Sequence, residues 1–169
     1  MDEKQLATIL EDALRAERDG FQFYTLAAQE SDDAGACDVF SHLADEERRH
    51  FDGLQREYRS ILQGAGWDPE VVLGERWLPE GAAPIFSEGF RCRIAGRHFE
   101  MSALSIGILL EKNAYEFYVA SAERAEDERV SEFFRELAEW ENGHYQLLLR
   151  EDDALRDAYW SENRFVPLD

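Results

Sequence analysis

Cysteine and basic residues are both scarce in this chain, and each scarcity excludes a class of protein. The two cysteines, Cys37 and Cys92, lie far apart, so they form neither a disulfide framework nor a four-thiolate site for iron or zinc. The 18 basic residues are outnumbered by 37 acidic ones, which gives a formal net charge of −19. Such a surface repels nucleic acid and anionic membranes but attracts cations.

Long hydrophobic segments are also missing. No apolar run approaches the roughly 20 residues that cross a bilayer. The charged N-terminal residues have neither the basic start nor the apolar segment of a signal peptide, so we expect a cytoplasmic protein. An apolar content of 44% over 169 residues is instead typical of one folded domain, which we assign to residues 1–169.

Apolar residues recur with the period of an α-helix along most of the chain. The predicted helices cover residues 4–29, 35–63, 99–124 and 128–150, with a short C-terminal helix at 152–160. This pattern predicts an all-α protein with four long helices.

The connection between the second and third helices, residues 64–98, has a different composition. It contains three of the four prolines and many glycines. A connection this long is uncommon in a compact domain, and a crossover that returns along a helical bundle explains it. Its apolar residues Trp67, Trp77, Ile85 and Phe86 are expected to cover the bundle or to pair two subunits.

The two halves of the chain repeat at a constant offset of 94 residues. The matched pairs are Glu17 with Glu111, Phe23 with Phe117, Tyr24 with Tyr118, Glu47 with Glu141, and His50 with His144. A repeated helical pair predicts two helical hairpins joined by one crossover, which is a four-helix bundle.

Four glutamates and two histidines lie on the helix stripes that should face the core. These are Glu17, Glu47, His50, Glu111, Glu141 and His144. A buried carboxylate is costly without a compensating charge, and the inward stripes contain no Lys or Arg. A glutamate three residues before a histidine shares its helix face, so both side chains can approach one ion. The mixed oxygen and nitrogen donors predict two divalent ions, iron or manganese.

An ordinary bundle with these polar residues on wet faces is the alternative. A single Glu-x-x-His pair would leave it open, because glutamate is common in this sequence. The same offset for the isolated glutamate, the tyrosine and the Glu-x-x-His pair argues against it.

Four segments carry a resemblance to a known family. They are ERDGFQFY at 17–24, LADEERRH at 43–50, EKNAYEFY at 111–118 and LAEWENGH at 137–144. They resemble the ferritin-like di-iron carboxylate superfamily, most closely its rubrerythrin-like branch. The resemblance implies that Glu47 and Glu141 bridge two metals, with Glu17 and His50 completing one metal position and Glu111 and His144 the other.

The chain departs from that family in three ways. It lacks the four-cysteine rubredoxin domain. Peroxide-reducing rubrerythrins carry an additional glutamate one turn beyond the third-helix glutamate, where this chain has Ala114. In symmetric sites an acidic residue precedes each Glu-x-x-His and orients a histidine: Glu46 meets this expectation, but its counterpart Trp140 cannot accept the bond.

The leading functional hypothesis is an oxidoreductase that reduces peroxide or dioxygen with electrons from an external donor protein. The alternatives are a ferroxidase that handles iron and a non-enzymatic, iron-dependent bundle. Tyr24 and Tyr118 are expected to hydrogen-bond a metal ligand or to donate an electron. The resemblance also implies a homodimer or larger homo-oligomer.

Overall fold

The computed structural model describes residues 3–74, 85–86 and 98–162, which form four α-helices and no β-strand. The helices are α1 (Glu3–Glu30), α2 (Ala34–Leu62), α3 (His98–Arg124) and α4 (Glu128–Glu162). Helix α1 packs along α2, α3 packs along α4, and α1 also contacts α3. The predicted all-α bundle of two hairpins is confirmed. Within the described residues, no helix is both long and apolar enough to cross a membrane.

Short capped connections turn each hairpin. Between α1 and α2, the side chain of Asp33 accepts a hydrogen bond of 3.1 Å from the backbone N–H of Ala36 and so caps α2. Between α3 and α4, Asp127 accepts a hydrogen bond of 2.9 Å from the backbone N–H of Arg129. Helices joined by so few residues must pack antiparallel to each other.

The apolar core is divided into two clusters at opposite ends of the bundle. One cluster joins the end of α1 and the start of α2 to the start of α3 and the second half of α4. The other joins the start of α1 and the end of α2 to the end of α3 and the start of α4. The midpoints of all four helices therefore lie between the clusters, at one level of the bundle.

The long connection between α2 and α3 contributes to both clusters. Trp67 packs against Phe133, with ring centroids 5.1 Å apart. Ile85 and Phe86 are buried in the cluster at the opposite end. The connection thus contacts both ends of the bundle, as a crossover requires, and these three residues cover the core. Trp77 lies outside the described residues.

The prediction of a separate C-terminal helix at 152–160 is wrong. Helix α4 continues without a break to Glu162. No glycine or proline interrupts this part of the sequence, so nothing ends the helix there. Leu155 is buried and extends the apolar stripe, while Asp152 and Arg156 form an ion pair one turn apart.

Candidate metal centre

The four glutamates and two histidines meet at the midpoint of the bundle. Helices α1 and α3 each contribute one glutamate, and α2 and α4 each contribute a glutamate and a histidine three residues apart. All six residues are buried, with at most 4% of the surface of each exposed. The helical spacing explains the convergence, since residues three apart project from the same helix face.

The six side chains form two overlapping groups. Glu17, Glu47, His50 and Glu141 each offer one atom, and these atoms lie within 4.8 Å of one another. Glu47, Glu111, Glu141 and His144 form a second group by the same measure. We call them the Glu17/His50 position and the Glu111/His144 position. Glu47 and Glu141 belong to both, which is the arrangement of two bridging carboxylates.

Several buried oxygen and nitrogen atoms of the cluster make no hydrogen bond. Within the described part of the chain, Glu47 Oε1, Glu111 Oε2, Glu141 Oε1 and His144 Nδ1 have no hydrogen-bond partner. Yet His144 Nδ1 lies only 3.3 Å from Glu111 Oε2 and 3.6 Å from Glu47 Oε1. Each buried polar atom left unbonded costs about 1–3 kcal/mol. Crowded oxygen and nitrogen donors of this kind fit a pair of divalent cations.

The electrostatics of the cluster favour proton retention when no cation is present. Burial, followed by the surrounding carboxylates, raises the pKa values of Glu47 and Glu141 well above the ordinary 4.5. Burial also acts to raise the pKa of Glu111, but the charge of His144 lowers it overall. Burial opposes the charged form of His144, yet the carboxylate of Glu111 and its other acidic neighbours raise its pKa well above 6.5.

Two tyrosines connect the hairpins at the cluster. The hydroxyl of Tyr24 on α1 donates a hydrogen bond to Glu111 on α3, and the hydroxyl of Tyr118 on α3 donates one to Glu17 on α1. Burial and the nearby carboxylates raise the pKa values of both tyrosines well above 10.0, so both remain hydrogen-bond donors at neutral pH. Each tyrosine therefore holds a carboxylate of the other hairpin.

The two histidines have different neighbours on the side of the ring that points away from the cluster. His144 Nε2 lies 2.6 Å from Glu46 Oε2, and Arg49 contacts the other oxygen of Glu46 at 3.1 Å. The His50 ring instead faces Trp140, with centroids 4.9 Å apart and the rings nearly perpendicular. Glu46 thus reaches the histidine of the opposite hairpin, and Trp140 occupies the equivalent place beside His50.

A cavity of about 360 Å³ between α1 and α3 reaches the cluster from the surface. Exposed Asp12, Asp19 and Asn113 border its outer part, and the small residues Gly20 and Ala114 form part of its wall. The cluster residues that line it are Glu17, Glu47, Glu111 and Glu141. A small molecule can therefore approach the carboxylates through this cavity.

Two contributors to the site were missed by reasoning from sequence. A Cβ atom at Gly20 would lie 2.9 Å from Glu47 Oε2, so this glycine allows Glu47 its position. The available signal was a single glycine inside a 28-residue helix, where glycine costs about 0.5–1 kcal/mol relative to alanine. Arg49 supports Glu46, and its position three residues after Glu46 on the helix was the signal.

Comparison with known proteins finds one similarity, which covers most of the second hairpin. The family model described as Rubrerythrin matches residues 89–152, which contain Glu111, Glu141 and His144. Neither the search of curated proteins nor the search of solved structures found a match. The residues that the structure describes include no rubredoxin domain. The match and the four-helix bundle make this chain similar to the ferritin-like di-iron carboxylate proteins, which share that architecture.

Proposed function

We propose that this chain is a di-iron-binding oxidoreductase that reduces hydrogen peroxide or dioxygen with electrons from an external donor protein. The observation that carries the proposal is that Glu47 and Glu141 belong to both groups of donor atoms. In the proposal these two glutamates would help to hold both iron ions. Glu17 and His50 would complete the ligands of one position, and Glu111 and His144 those of the other. Manganese is the second metal that this donor set suits.

The bound ions would supply the electrons that reduce the oxidant. Residues of the chain itself position the ligands, separate the centre from solvent and leave a path for the oxidant. Tyr24 and Tyr118 hold the two non-bridging glutamates in position. The apolar clusters separate the centre from solvent at both ends of the bundle. The cavity beside Gly20 and Ala114 gives a small oxidant a path to the carboxylates.

A ferroxidase is the second candidate, with ferrous iron as the substrate. It is favoured by Ala114, which lines the cavity at the place where peroxide-reducing rubrerythrins, by the resemblance, carry an additional glutamate. Without that glutamate the two positions have equivalent donor sets, as in an oxidation centre for iron handling. A non-enzymatic, iron-dependent bundle is the third candidate and differs by showing no rapid oxidation.

Anaerobic titration of the apo protein with ferrous iron, followed by rapid mixing with peroxide or air, tests the proposal. We expect saturation at two irons per chain and faster oxidation by peroxide than by air. Faster oxidation by air would favour the ferroxidase. Glu141→Gln should lower the stoichiometry or the affinity, whereas Glu139→Gln removes the same charge from an exposed position and should not. No saturable binding would exclude the two-metal site and with it all three candidates.

We also propose a homodimer. The outward side of α3 exposes Ile106 and Leu109, of which 47% and 58% of the surface is accessible. Apolar side chains this exposed on neighbouring turns suit a subunit interface. Light scattering should give about twice the chain mass of 19.6 kDa. A large cage would instead support the iron-handling candidate.

A further inference from the structure

The 94-residue repeat that builds the centre is broken at one pair of supporting residues. Glu46 and Trp140 occupy equivalent places in the two hairpins, directly before the bridging glutamates. Both side chains are buried and both lie against a histidine of the other hairpin. One histidine therefore has a carboxylate behind it, and the other has an indole.

The carboxylate of Glu46 determines which ring nitrogen of His144 faces the cluster. Glu46 Oε2 lies 2.6 Å from His144 Nε2, and Glu46 is 1% exposed. A hydrogen bond to this oxygen keeps a proton on Nε2, so Nδ1, which faces Glu111 and Glu47, is the nitrogen that a cation can bind in place of a proton. An acidic partner behind a histidine also increases its strength as a metal ligand.

His50 lacks this support. Its Nδ1 lies 3.2 Å from both Glu17 Oε2 and Glu141 Oε1, so the same nitrogen faces the cluster as in His144. Among the described residues, no group hydrogen-bonds its Nε2. Trp140, beside it, has a donor but no acceptor other than the weak aromatic face. No described residue on this side fixes the tautomer of the His50 ring.

We propose that the two metal positions differ in affinity, with the Glu111/His144 position binding first and the Glu17/His50 position binding more weakly. Loss of an acidic partner behind a metal-bound histidine typically weakens metal binding by about 10–100-fold, so we expect a difference of that order between the positions. The inference rests on the proposed two-metal site and adds an order of filling. Glu46 is a positioning residue in it, acting through His144.

Titration of the apo protein with cobalt(II) under argon, followed by calorimetry and by visible absorption, measures the two affinities directly. We expect two resolved steps whose dissociation constants differ by about 10–100-fold. His144→Ala should abolish the tight step and leave the weak one. His50→Ala should leave the tight step in place. Neither readout depends on the activity of the loaded protein.

Two reciprocal variants test the cause of the difference. Glu46→Gln should weaken the tight step by about tenfold or more, which brings the two steps together. The exposed Glu139→Gln is the charge-matched control and should leave both steps unchanged. Trp140→Glu gives His50 an acceptor within reach of Arg49, whose guanidinium lies 5.5 Å from the Trp140 ring, and should tighten the weak step.

The outcomes separate this inference from the proposed function. Two cobalt ions binding with equal affinity would overturn the inference while leaving the two-metal site intact. Survival of the tight step in His144→Ala would also overturn it. No saturable cobalt binding to the wild-type chain would overturn the inference together with the two-metal site. Thermal unfolding of each apo variant identifies loss of the fold, and the wild-type and single-histidine titrations remain decisive if Trp140→Glu does not fold.

Discussion

Tyr24 and Glu111 are joined by a hydrogen bond that crosses from the first hairpin to the second. Its counterpart runs the other way, from Tyr118 to Glu17. Each hairpin thus donates a hydrogen bond to a carboxylate that the other hairpin brings to the centre. The pair fixes the relative position of the two hairpins at the level where the donor atoms must converge, so the centre and the bundle are stabilised by the same contacts.

Replacement of Tyr24 by phenylalanine should destabilise the apo protein by about 1–3 kcal/mol, because Glu111 Oε1 then loses its buried donor. Urea unfolding followed by circular dichroism measures the change in the free energy of unfolding. Tyr118→Phe should have a similar effect through Glu17. Tyr115→Phe is the control, since Tyr115 is exposed on the same helix. Equal stability of Tyr24→Phe and the control would show that the cross-hairpin bond contributes little.

The apo protein should lose stability as the pH rises from about 6 to 8. Glu47 and Glu141 have folded-state pKa values raised above 4.5, and that of His144 is raised above 6.5. A raised pKa means that the folded state binds the proton more tightly than the unfolded state. The stabilisation is complete below the unfolded pKa and is lost as the pH rises through the folded one. Thermal unfolding at several pH values measures this slope.

Metal loading should reverse that dependence, because the cations take the place of the protons. Addition of two equivalents of cobalt(II) is expected to release protons, measurable with a pH indicator in weak buffer. It should also raise the unfolding temperature most at pH 8. Glu47→Gln should reduce the proton release, whereas the exposed Glu139→Gln should not. Apo stability that increases from pH 6 to 8 would contradict the charge distribution described for the cluster.

Much of the fold followed from the sequence because helical periodicity and the internal repeat are local or nearly local signals. The positions of Glu47 and His50 on one face of α2 depend only on their spacing. The offset of 94 residues then implied that the second hairpin places Glu141 and His144 in the same way. Convergence of the side chains at one level required only helices of similar length with their midpoints aligned.

The partners of the supporting residues depend on something that spacing does not determine. The rotation of each helix about its axis decides whether Tyr24 reaches Glu17 on its own helix or Glu111 across the bundle. The same rotation directs Glu46 to the opposite hairpin. The continuation of α4 was missed for a different reason, because only the burial of Leu155 shows that the helix keeps packing against the bundle.

Gly20→Ala should separate metal binding from stability. The substitution favours the helix by about 0.5–1 kcal/mol. However, the new Cβ would meet Glu47 Oε2 at 2.9 Å, and the carboxylate must move. We therefore expect unchanged or higher stability of the apo protein together with weaker cobalt(II) binding. Gly53→Ala on α2 is the matched control, because its Cβ would meet only the flexible side chains of Leu73 and Val71. Cobalt affinity equal to that of the control would show that Glu47 adapts at no cost.

Glu57, near the end of α2, provides a second source of pH dependence that lies apart from the metal centre. Its side chain is fully buried, and Oε2 accepts a hydrogen bond of 3.0 Å from the backbone N–H of Asp68. Burial is the main cause that raises the pKa of Glu57 from 4.5 to about 7. The backbone hydrogen bond from Asp68 opposes it, the Asp68 carboxylate adds to it, and Arg56 and Arg129 oppose it more weakly. The folded state therefore holds the Glu57 proton more tightly than the unfolded state.

Glu57→Gln should consequently remove part of the pH dependence of the apo protein. The stabilisation from protonated Glu57 is complete below pH 4.5 and is lost as the pH rises to about 7, so the variant should gain on the wild type across that interval. We expect a relative gain of roughly 1–3 kcal/mol in the free energy of unfolding between pH 5 and pH 8. Urea unfolding at both pH values measures it, and the exposed Glu70→Gln, in the loop that contains Asp68, is the control. Each variant is compared with the wild type at the same pH, so the contribution of Glu47 and Glu141 cancels. If the free energies of unfolding of Glu57→Gln and Glu70→Gln changed with pH in parallel, Glu57 would already be ionised in the folded protein at pH 5.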